Sequence, residues 1–167
     1  LPGKTAPNVK GVIVKKNADA IDLLTPAPRP VGIRLAGGAK DYAIPIPAAE
    51  APGPLQALLL PSGRTAGKGR FAVPFQVKSY TTEVTANGPL FAEARVRYEF
   101  DAGYWIFTAR VVKDCPVVII REELNTGYSG QLSSVADRFY TFTLNAGGFA
   151  PTQLFFGGRN DKPELSS

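Results

Sequence analysis

The run from Phe71 to Leu124 constrains the fold of this chain more than any other part of the sequence. Apolar and polar residues alternate through most of it, and turn sequences containing Gly or Pro interrupt the alternation at 87–89, 101–103 and 114–116. Alternation with a period of two residues is typical of β-strands with one buried face, and Gly and Pro are typical of the turns between them. The run therefore predicts four or five strands joined by tight turns.

The clearest element of this run is a hairpin that turns at 101–103. On the strand before the turn, apolar residues alternate with Glu93, Arg95, Arg97 and Glu99, and on the strand after it Trp105, Phe107, Ala109 and Val111 alternate with Tyr104, Ile106, Thr108 and Arg110. A shift of the alternation near Ser79 predicts a β-bulge or a bend. Val117–Leu124 is almost entirely apolar in its first half, which is typical of a central strand.

Outside this run the pattern is weaker. It favours short strands near 12–14, 20–24, 31–35 and 138–144, whereas the prolines of 26–30 require a connection. Residues 56–60 fit a strand or a turn of helix equally well, and 62–70, with three glycines, is expected to be a loop. The prediction is an all-β fold, an antiparallel β-sandwich of roughly nine to eleven strands with few or no helices.

The length and the composition suggest how the chain is organised. Its 167 residues suffice for a single domain, 1–167, with extended tails at 1–8 and 159–167. The chain begins Leu1-Pro2-Gly3 and contains no methionine, so we expect that a leader was removed or that this is a piece of a longer protein. No apolar stretch is long enough for a membrane span. The net charge of +5 is scattered rather than clustered, which argues against a nucleic-acid partner.

The absence of histidine excludes most familiar catalytic arrangements. Ser-His-Asp and Cys-His sites cannot form, and the single cysteine, Cys115, is interpreted as a buried, inert thiol. Glu122 and Glu123 point to opposite faces of a strand, and Glu93 and Glu99 lie about 20 Å apart along another. A carboxylate pair completed from a different strand, or a Lys or Tyr base, stays open. We expect no catalytic centre, no metal site and no cofactor in this chain.

The polar face of the hairpin is the best candidate for ligand binding. Its candidate residues are Arg95, Arg97, Glu99, Tyr104 and Arg110. Arginines beside a tyrosine offer planar donors and a flat ring, which suit a sugar carboxylate or a cluster of hydroxyls. The alternative interpretation is a solvated sheet face with cross-strand ion pairs. Trp105 lies on the opposite face and is expected in the core.

The segment 83–100, EVTANGPLFAEARVRYEF, is followed by an alternating strand at 104–112 and then by DCPVVIIREE at 114–123. This order of Gly-Pro turn, strand, hairpin, strand, turn and apolar strand resembles the galactose-mutarotase-like super-sandwich domains of bacterial carbohydrate-active enzymes. The resemblance, which covers 83–125, implies an accessory or scaffold domain whose catalytic residues come from a neighbouring domain. The catalytic residues of the mutarotases include histidines, so none is carried over to this chain.

Two functions follow as expectations. The first is a carbohydrate-binding or scaffold β-sandwich domain of a secreted bacterial carbohydrate-active protein, at the cell surface or in the periplasm, with a polysaccharide or oligosaccharide as partner. The alternative is a structural or assembly subunit that associates with itself or with a neighbouring domain through strand edges and extended termini.

Overall fold

The computed structural model describes residues 11–26, 28, 30–125, 127 and 140–143, and of Phe142 only the backbone. In these residues the chain forms twelve β-strands and one short 3-10 turn, Ala48–Glu50. The strands are β1 (Ile13–Lys16), β2 (Ala20–Leu24), β3 (Gly32–Ala36), β4 (Ala39–Pro47), β5 (Leu55–Leu59), β6 (Thr65–Ala66), β7 (Lys68–Phe71), β8 (Gln76–Asn87), β9 (Phe91–Phe100), β10 (Tyr104–Val112), β11 (Val118–Asn125) and β12 (Tyr140–Thr143). The two-residue β6 brings the number of strands one above the expected range.

The strands form three antiparallel sheets. The first sheet has the order β1-β2-β3-β5-β6, and the second has the order β11-β10-β9-β8-β4. β7 and β12 form a small third sheet. The expected all-β antiparallel sandwich is confirmed, and the described residues contain no α-helix and therefore none that could cross a membrane. The expected tails at 1–8 and 159–167 lie outside the described residues.

The core lies between the two large sheets and follows the alternation of the sequence. Every second residue of β9, from Ala92 to Phe100, is buried, and the same holds on β10 for Trp105, Phe107, Ala109 and Val111. The first sheet contributes aliphatic side chains from β2 and β3, among them Leu23 and Ile33. Full burial of one such side chain stabilises a fold by about 1.5–3 kcal/mol. The expectation that Trp105 belongs to the core is confirmed by its exposure of 0%.

An aromatic cluster closes the core beside the third sheet. The Phe71 ring meets the rings of Tyr98 and Trp105 edge to face, at centroid distances of 4.9 and 5.2 Å. The Tyr98 hydroxyl donates a hydrogen bond to the backbone carbonyl of Pro52 at 2.5 Å. Tyr140 of β12 packs against the same cluster, 5.0 Å from Trp105 between ring centroids. The cluster therefore ties the third sheet to the second one.

The turn predictions agree with the structure. Gly103 closes the β9–β10 hairpin with φ of 83°, a conformation that glycine adopts without steric cost. The pairing of β8 with β9 shifts register between Val77 and Ser79, which confirms the predicted irregularity near Ser79.

Two local predictions were wrong. Residues 62–70 were expected to be a loop, but they contain β6 and most of β7, because glycine permits close contact with a strand that is distant in sequence. Val117–Leu124 was expected to be a central strand, but β11 lies at the end of its sheet and pairs in the described part of the chain with β10 alone. Ile119 and Ile120 are accordingly 50% and 43% exposed.

Candidate functional site

The five residues predicted from the alternation lie together on the outward face of the second sheet. Tyr104 stands opposite Glu99, and Arg110 stands opposite Glu93, in the register of β10 with β9. Directly opposed residues of antiparallel strands share a face, with Cβ atoms about 4.5–5.5 Å apart. The hairpin turn determines this register, and so the structure places the predicted side chains on one face, with Arg97, Glu99 and Tyr104 at its turn end and Arg95 and Arg110 toward its other end.

Carboxylates pair with each of the three arginines. Arg95 bonds Glu83 of β8 at 2.5 Å, Arg97 bonds Glu99 of its own strand at 2.5 Å, and Arg110 bonds Glu93 across the hairpin at 2.7 Å. The arginine side chains are 42–44% exposed, and pairs of this kind contribute about 0–1 kcal/mol each. The ion-paired sheet face expected as the alternative to a binding site is thus present. The pairs leave the guanidinium groups accessible to a ligand.

Tyr104 forms a polar and aromatic contact at the turn end of this face. The Arg97 guanidinium lies over the Tyr104 ring, 4.2 Å from its centroid. The Tyr104 hydroxyl donates a hydrogen bond to Glu123 of β11 at 2.8 Å. This hydrogen bond is the main reason why the pKa of Tyr104 is raised above its ordinary value. Its partners hold the ring against Arg97 at the surface.

A shallow depression lies on the same face, away from the hairpin turn. Its volume is about 330 Å³, and its lining consists of Thr85, Glu93, Arg95, Thr108, Arg110, Ile119 and Arg121. We call this feature the arginine depression. Three guanidinium groups and one carboxylate line it, and even when Glu83, the partner of Arg95, is counted its local charge is positive. This charge and the two threonine hydroxyls suit an anionic ligand that also carries hydroxyl groups.

Glu93 is the carboxylate at the centre of the arginine depression. It accepts hydrogen bonds from the Thr85 hydroxyl and from Arg110, each at 2.8 Å. Burial, the largest single influence, raises the pKa of Glu93, but these hydrogen bonds and the charges of Arg110 and Arg121 together lower it below the ordinary value. Glu93 is therefore held in its ionised form by the groups that would also bind an anionic ligand.

Arg121 was missed by the sequence analysis. It stands opposite Thr108 in the pairing of β11 with β10 and so faces outward beside Arg110. No salt bridge to Arg121 is present among the residues that the structure describes. The alternation of residues within β11 could have indicated that Arg121 lies on the outward face. That strand was interpreted from its apolar first half, and the strand order that brings Arg121 to this depression is a property of the whole sheet.

Glu122, Glu123 and Cys115 are the other residues that the sequence analysis considered for chemistry. Glu122 and Glu123 point to opposite faces as predicted, because Glu122 stands opposite the buried Phe107 and Glu123 stands opposite Ile106. Cys115, expected to be buried, is half-buried at the turn before β11. In the part of the chain that is described, no three acidic or cysteine side chains lie close enough together to bind a metal ion.

No family model, no curated protein and no solved structure matches this chain. The functional argument therefore rests on the residues of the chain itself.

Proposed function

We propose that the outward face of the second sheet binds an acidic polysaccharide or oligosaccharide, and that the chain is a carbohydrate-binding or scaffold domain of a secreted bacterial carbohydrate-active protein. The observation that carries the proposal is the arginine depression of about 330 Å³, where Arg95, Arg110 and Arg121 surround Glu93. The super-sandwich resemblance of 83–125 supports a carbohydrate as the ligand.

The chemistry of this face fits a sugar acid. The planar fork of a guanidinium group matches a carboxylate or a sulfate through two parallel hydrogen bonds. Arg121, which forms no salt bridge within the described residues, is the donor that a ligand engages first. Arg110 can then exchange its bond to Glu93 for one to the ligand. Thr85 and Thr108 lie in the same depression and can bond sugar hydroxyls.

Arg97 and Tyr104 extend the face toward the hairpin turn. Their stacked pair, at 4.2 Å, presents a flat and partly apolar surface on which a sugar ring can lie. Glu99 beside them accepts hydrogen bonds from hydroxyl groups. The proposed site is therefore an open strip along the hairpin, suited to several units of a polymer rather than to one small molecule.

Calorimetric titration tests the proposal with polygalacturonate as the acidic probe and arabinan as a neutral one. We expect binding of the acidic polymer that weakens as salt is added, since the interaction is between exposed charges. Arg121→Ala should weaken it about tenfold, the effect of losing one charge-assisted hydrogen bond. Tyr104→Ala should weaken binding of acidic oligomers that reach the turn.

Arg64→Ala is the matched control, because it removes the same charge from an exposed position between β5 and β6, in the other sheet. It should bind like the parent. If Arg121→Ala, Arg97→Ala and Tyr104→Ala all bind the acidic polymer as the parent does, or if no polymer binds at low salt, the proposal is wrong.

The second candidate is an assembly subunit that associates through a strand edge. It is favoured by one observation, the exposure of apolar side chains along β11. Ile119, Ile120 and Leu124 of β11 are 50%, 43% and 37% exposed, and Val117 just before the strand is 53% exposed.

A further inference from the structure

In the part of the chain that the structure describes, each large sheet ends in two outer strands, and three of these four strands have features that oppose pairing with another chain. β1 has four residues and ends in Lys15 and Lys16, and β6 has only two residues. β4 contains Pro45 and Pro47, and its pairing with β8 shifts register between Asp41 and Ile46. Short length, lysine, proline and irregular register are the features by which natural sheets prevent edge-to-edge association.

β11 lacks these features. It has eight residues, contains neither Pro nor Lys nor Gly, and pairs with β10 without a register shift. Among the described residues, four of the eight exposed large hydrophobic side chains lie at 117–124. A long, regular strand with exposed apolar side chains is a template for a further strand. Its opposing features are the three consecutive charged residues Arg121, Glu122 and Glu123, of which Glu122 points to the inner side of the sheet.

We propose that β11 pairs with β11 of a second copy of this chain, antiparallel and related by a two-fold axis at Glu122, so that two five-stranded sheets join into one of ten strands. A two-fold axis perpendicular to a sheet preserves its two faces. Each residue must therefore stand opposite a residue of the second copy that points to the same face of the sheet. This requires the axis to pass through a residue rather than between two neighbouring residues.

Charge complementarity selects the register. With the axis at Glu122 the two Glu122 side chains meet, but Arg121 stands opposite Glu123 of the second copy, Ile120 stands opposite Leu124, and each of these two pairs occurs twice. With the axis at Arg121 the two Arg121 side chains meet, and with the axis at Glu123 the two Glu123 side chains meet, and neither register forms a pair of opposite charge. An axis at Ile120 leaves Glu122 opposite an apolar residue. Opposite charges and apolar pairs directly across two strands stabilise their pairing, whereas like charges destabilise it.

Glu122 makes this association sensitive to pH. The described groups that face it are the Trp105 indole, which donates a hydrogen bond to it, the Phe107 ring across the strand pair, and the Tyr140 phenol of β12. Desolvation on the inner side raises the pKa of Glu122 above its ordinary value, although the indole hydrogen bond opposes the rise. At the axis the two carboxylates repel each other when both are ionised, and protonation of one lets them share a hydrogen bond. Association should tighten as the pH falls toward the pKa of Glu122.

Sedimentation velocity of the full chain without ligand, over a wide range of protein concentration, tests the proposal. We expect a monomer–dimer equilibrium that shifts toward the dimer as the pH is lowered from 7.5 toward the raised pKa of Glu122, because protonation of one carboxylate removes the repulsion at the axis. Glu122→Gln removes the repulsion and should give a dimer at pH 7.5, with no further response to pH in this range.

Charge reversal tests the register. Arg121→Glu and Glu123→Arg should each weaken the dimer about thirtyfold, because two symmetry-related pairs change from attraction to repulsion. The double variant restores both pairs and should dimerise like the parent. A mixture of the two single variants should form a heterodimer about as tight as the parent dimer, although each variant alone dimerises about thirtyfold more weakly. Lys40→Glu on β4, at the opposite end of the same sheet, is the matched control and should behave as the parent.

A monomer for both the parent and Glu122→Gln at every concentration overturns the proposal. A dimer that neither charge reversal weakens also overturns it, since such a dimer would use another surface. A mixture of the two single variants that stays monomeric overturns it as well. Circular dichroism of each variant checks that it is folded. The proposal does not rest on carbohydrate binding, which Tyr104→Ala tests on a different strand.

Discussion

Replacement of Gly69 by Ala should destabilise the sandwich through a single tyrosine. A Cβ atom at position 69 would lie 1.5 Å from the hydroxyl oxygen of Tyr140 and 2.0 Å from its Cζ, far inside the 3.4–4 Å of ordinary contact. The Tyr140 ring packs against Phe71 and Trp105, and its hydroxyl accepts a hydrogen bond from the backbone N–H of Leu55 at 3.2 Å. The alanine methyl and the ring cannot share this space, so the ring must leave the cluster.

The magnitude follows from what the ring loses. Truncation of a fully buried aromatic side chain costs about 3–5 kcal/mol, and Tyr140, which is half-buried, should contribute about 2–3 kcal/mol. The lost hydrogen bond adds about 1 kcal/mol. Alanine in place of glycine stabilises the folded state by about 0.5–1 kcal/mol where no positive φ is required, which offsets part of this loss. Gly69→Ala should therefore lower the free energy of unfolding by about 2–3 kcal/mol.

Urea unfolding of a double-mutant cycle measures the coupling. Tyr140→Ala alone should cost about 3 kcal/mol, but in that background Gly69→Ala should be neutral or slightly stabilising, so that the sign of its effect reverses. Gly88→Ala is the control, because its Cβ would meet only the carbonyl oxygen of Phe91 at an ordinary 3.6 Å. Costs of Gly69→Ala and Tyr140→Ala that add within about 0.5 kcal/mol would refute the reasoning.

Further predictions concern buried polar contacts and acid stability. Tyr98→Phe should cost about 1–2 kcal/mol in urea unfolding, because it removes the hydroxyl that bonds the Pro52 carbonyl from a fully buried ring. Arg34→Met should cost about 3 kcal/mol by the same measurement, since it leaves the buried Asp22 carboxylate without its two guanidinium bonds of 2.7 and 2.8 Å. Glu93 has a lowered pKa, so its ionised form stabilises the fold above the ordinary value of 4.5, and this contribution is lost as the pH falls through the lowered pKa. Thermal unfolding of Glu93→Gln should accordingly show a flatter loss of stability below pH 4.5 than the parent.

The sequence predicted the candidate face because a hairpin fixes two properties at once. The alternation assigns each residue of β9 and β10 to a face, and a turn at 101–103 sets which residues stand opposite each other. Arg97, Tyr104 and Arg110 could therefore be assigned to one face without knowledge of any other strand. Short-range order of this kind is the part of a β fold that one sequence reveals most directly.

The two wrong predictions, for 62–70 and for β11, concern features that depend on strands distant in sequence. Glycines suggested a loop at 62–70, yet Gly69 is a strand residue whose lack of a side chain admits Tyr140, which lies 71 positions later. The apolar first half of β11 suggested a central strand, yet strand order is decided by the whole sheet. Neither the partner of a glycine nor the position of a strand in its sheet is encoded in a local pattern.

The two proposals meet at Arg121, and this makes them interdependent. In the glycan proposal Arg121 is the first donor to an anionic ligand, and in the dimer it stands opposite Glu123 of the second copy. One guanidinium group cannot form its best bonds to both, so a ligand that engages Arg121 favours the monomer. Thermodynamic linkage then requires that dimerisation weakens ligand binding by the same factor. Because protonation of Glu122 favours the dimer, acid should also reduce the affinity for an acidic glycan, and Glu122→Gln should bind the glycan less tightly at neutral pH although Glu122 faces away from it.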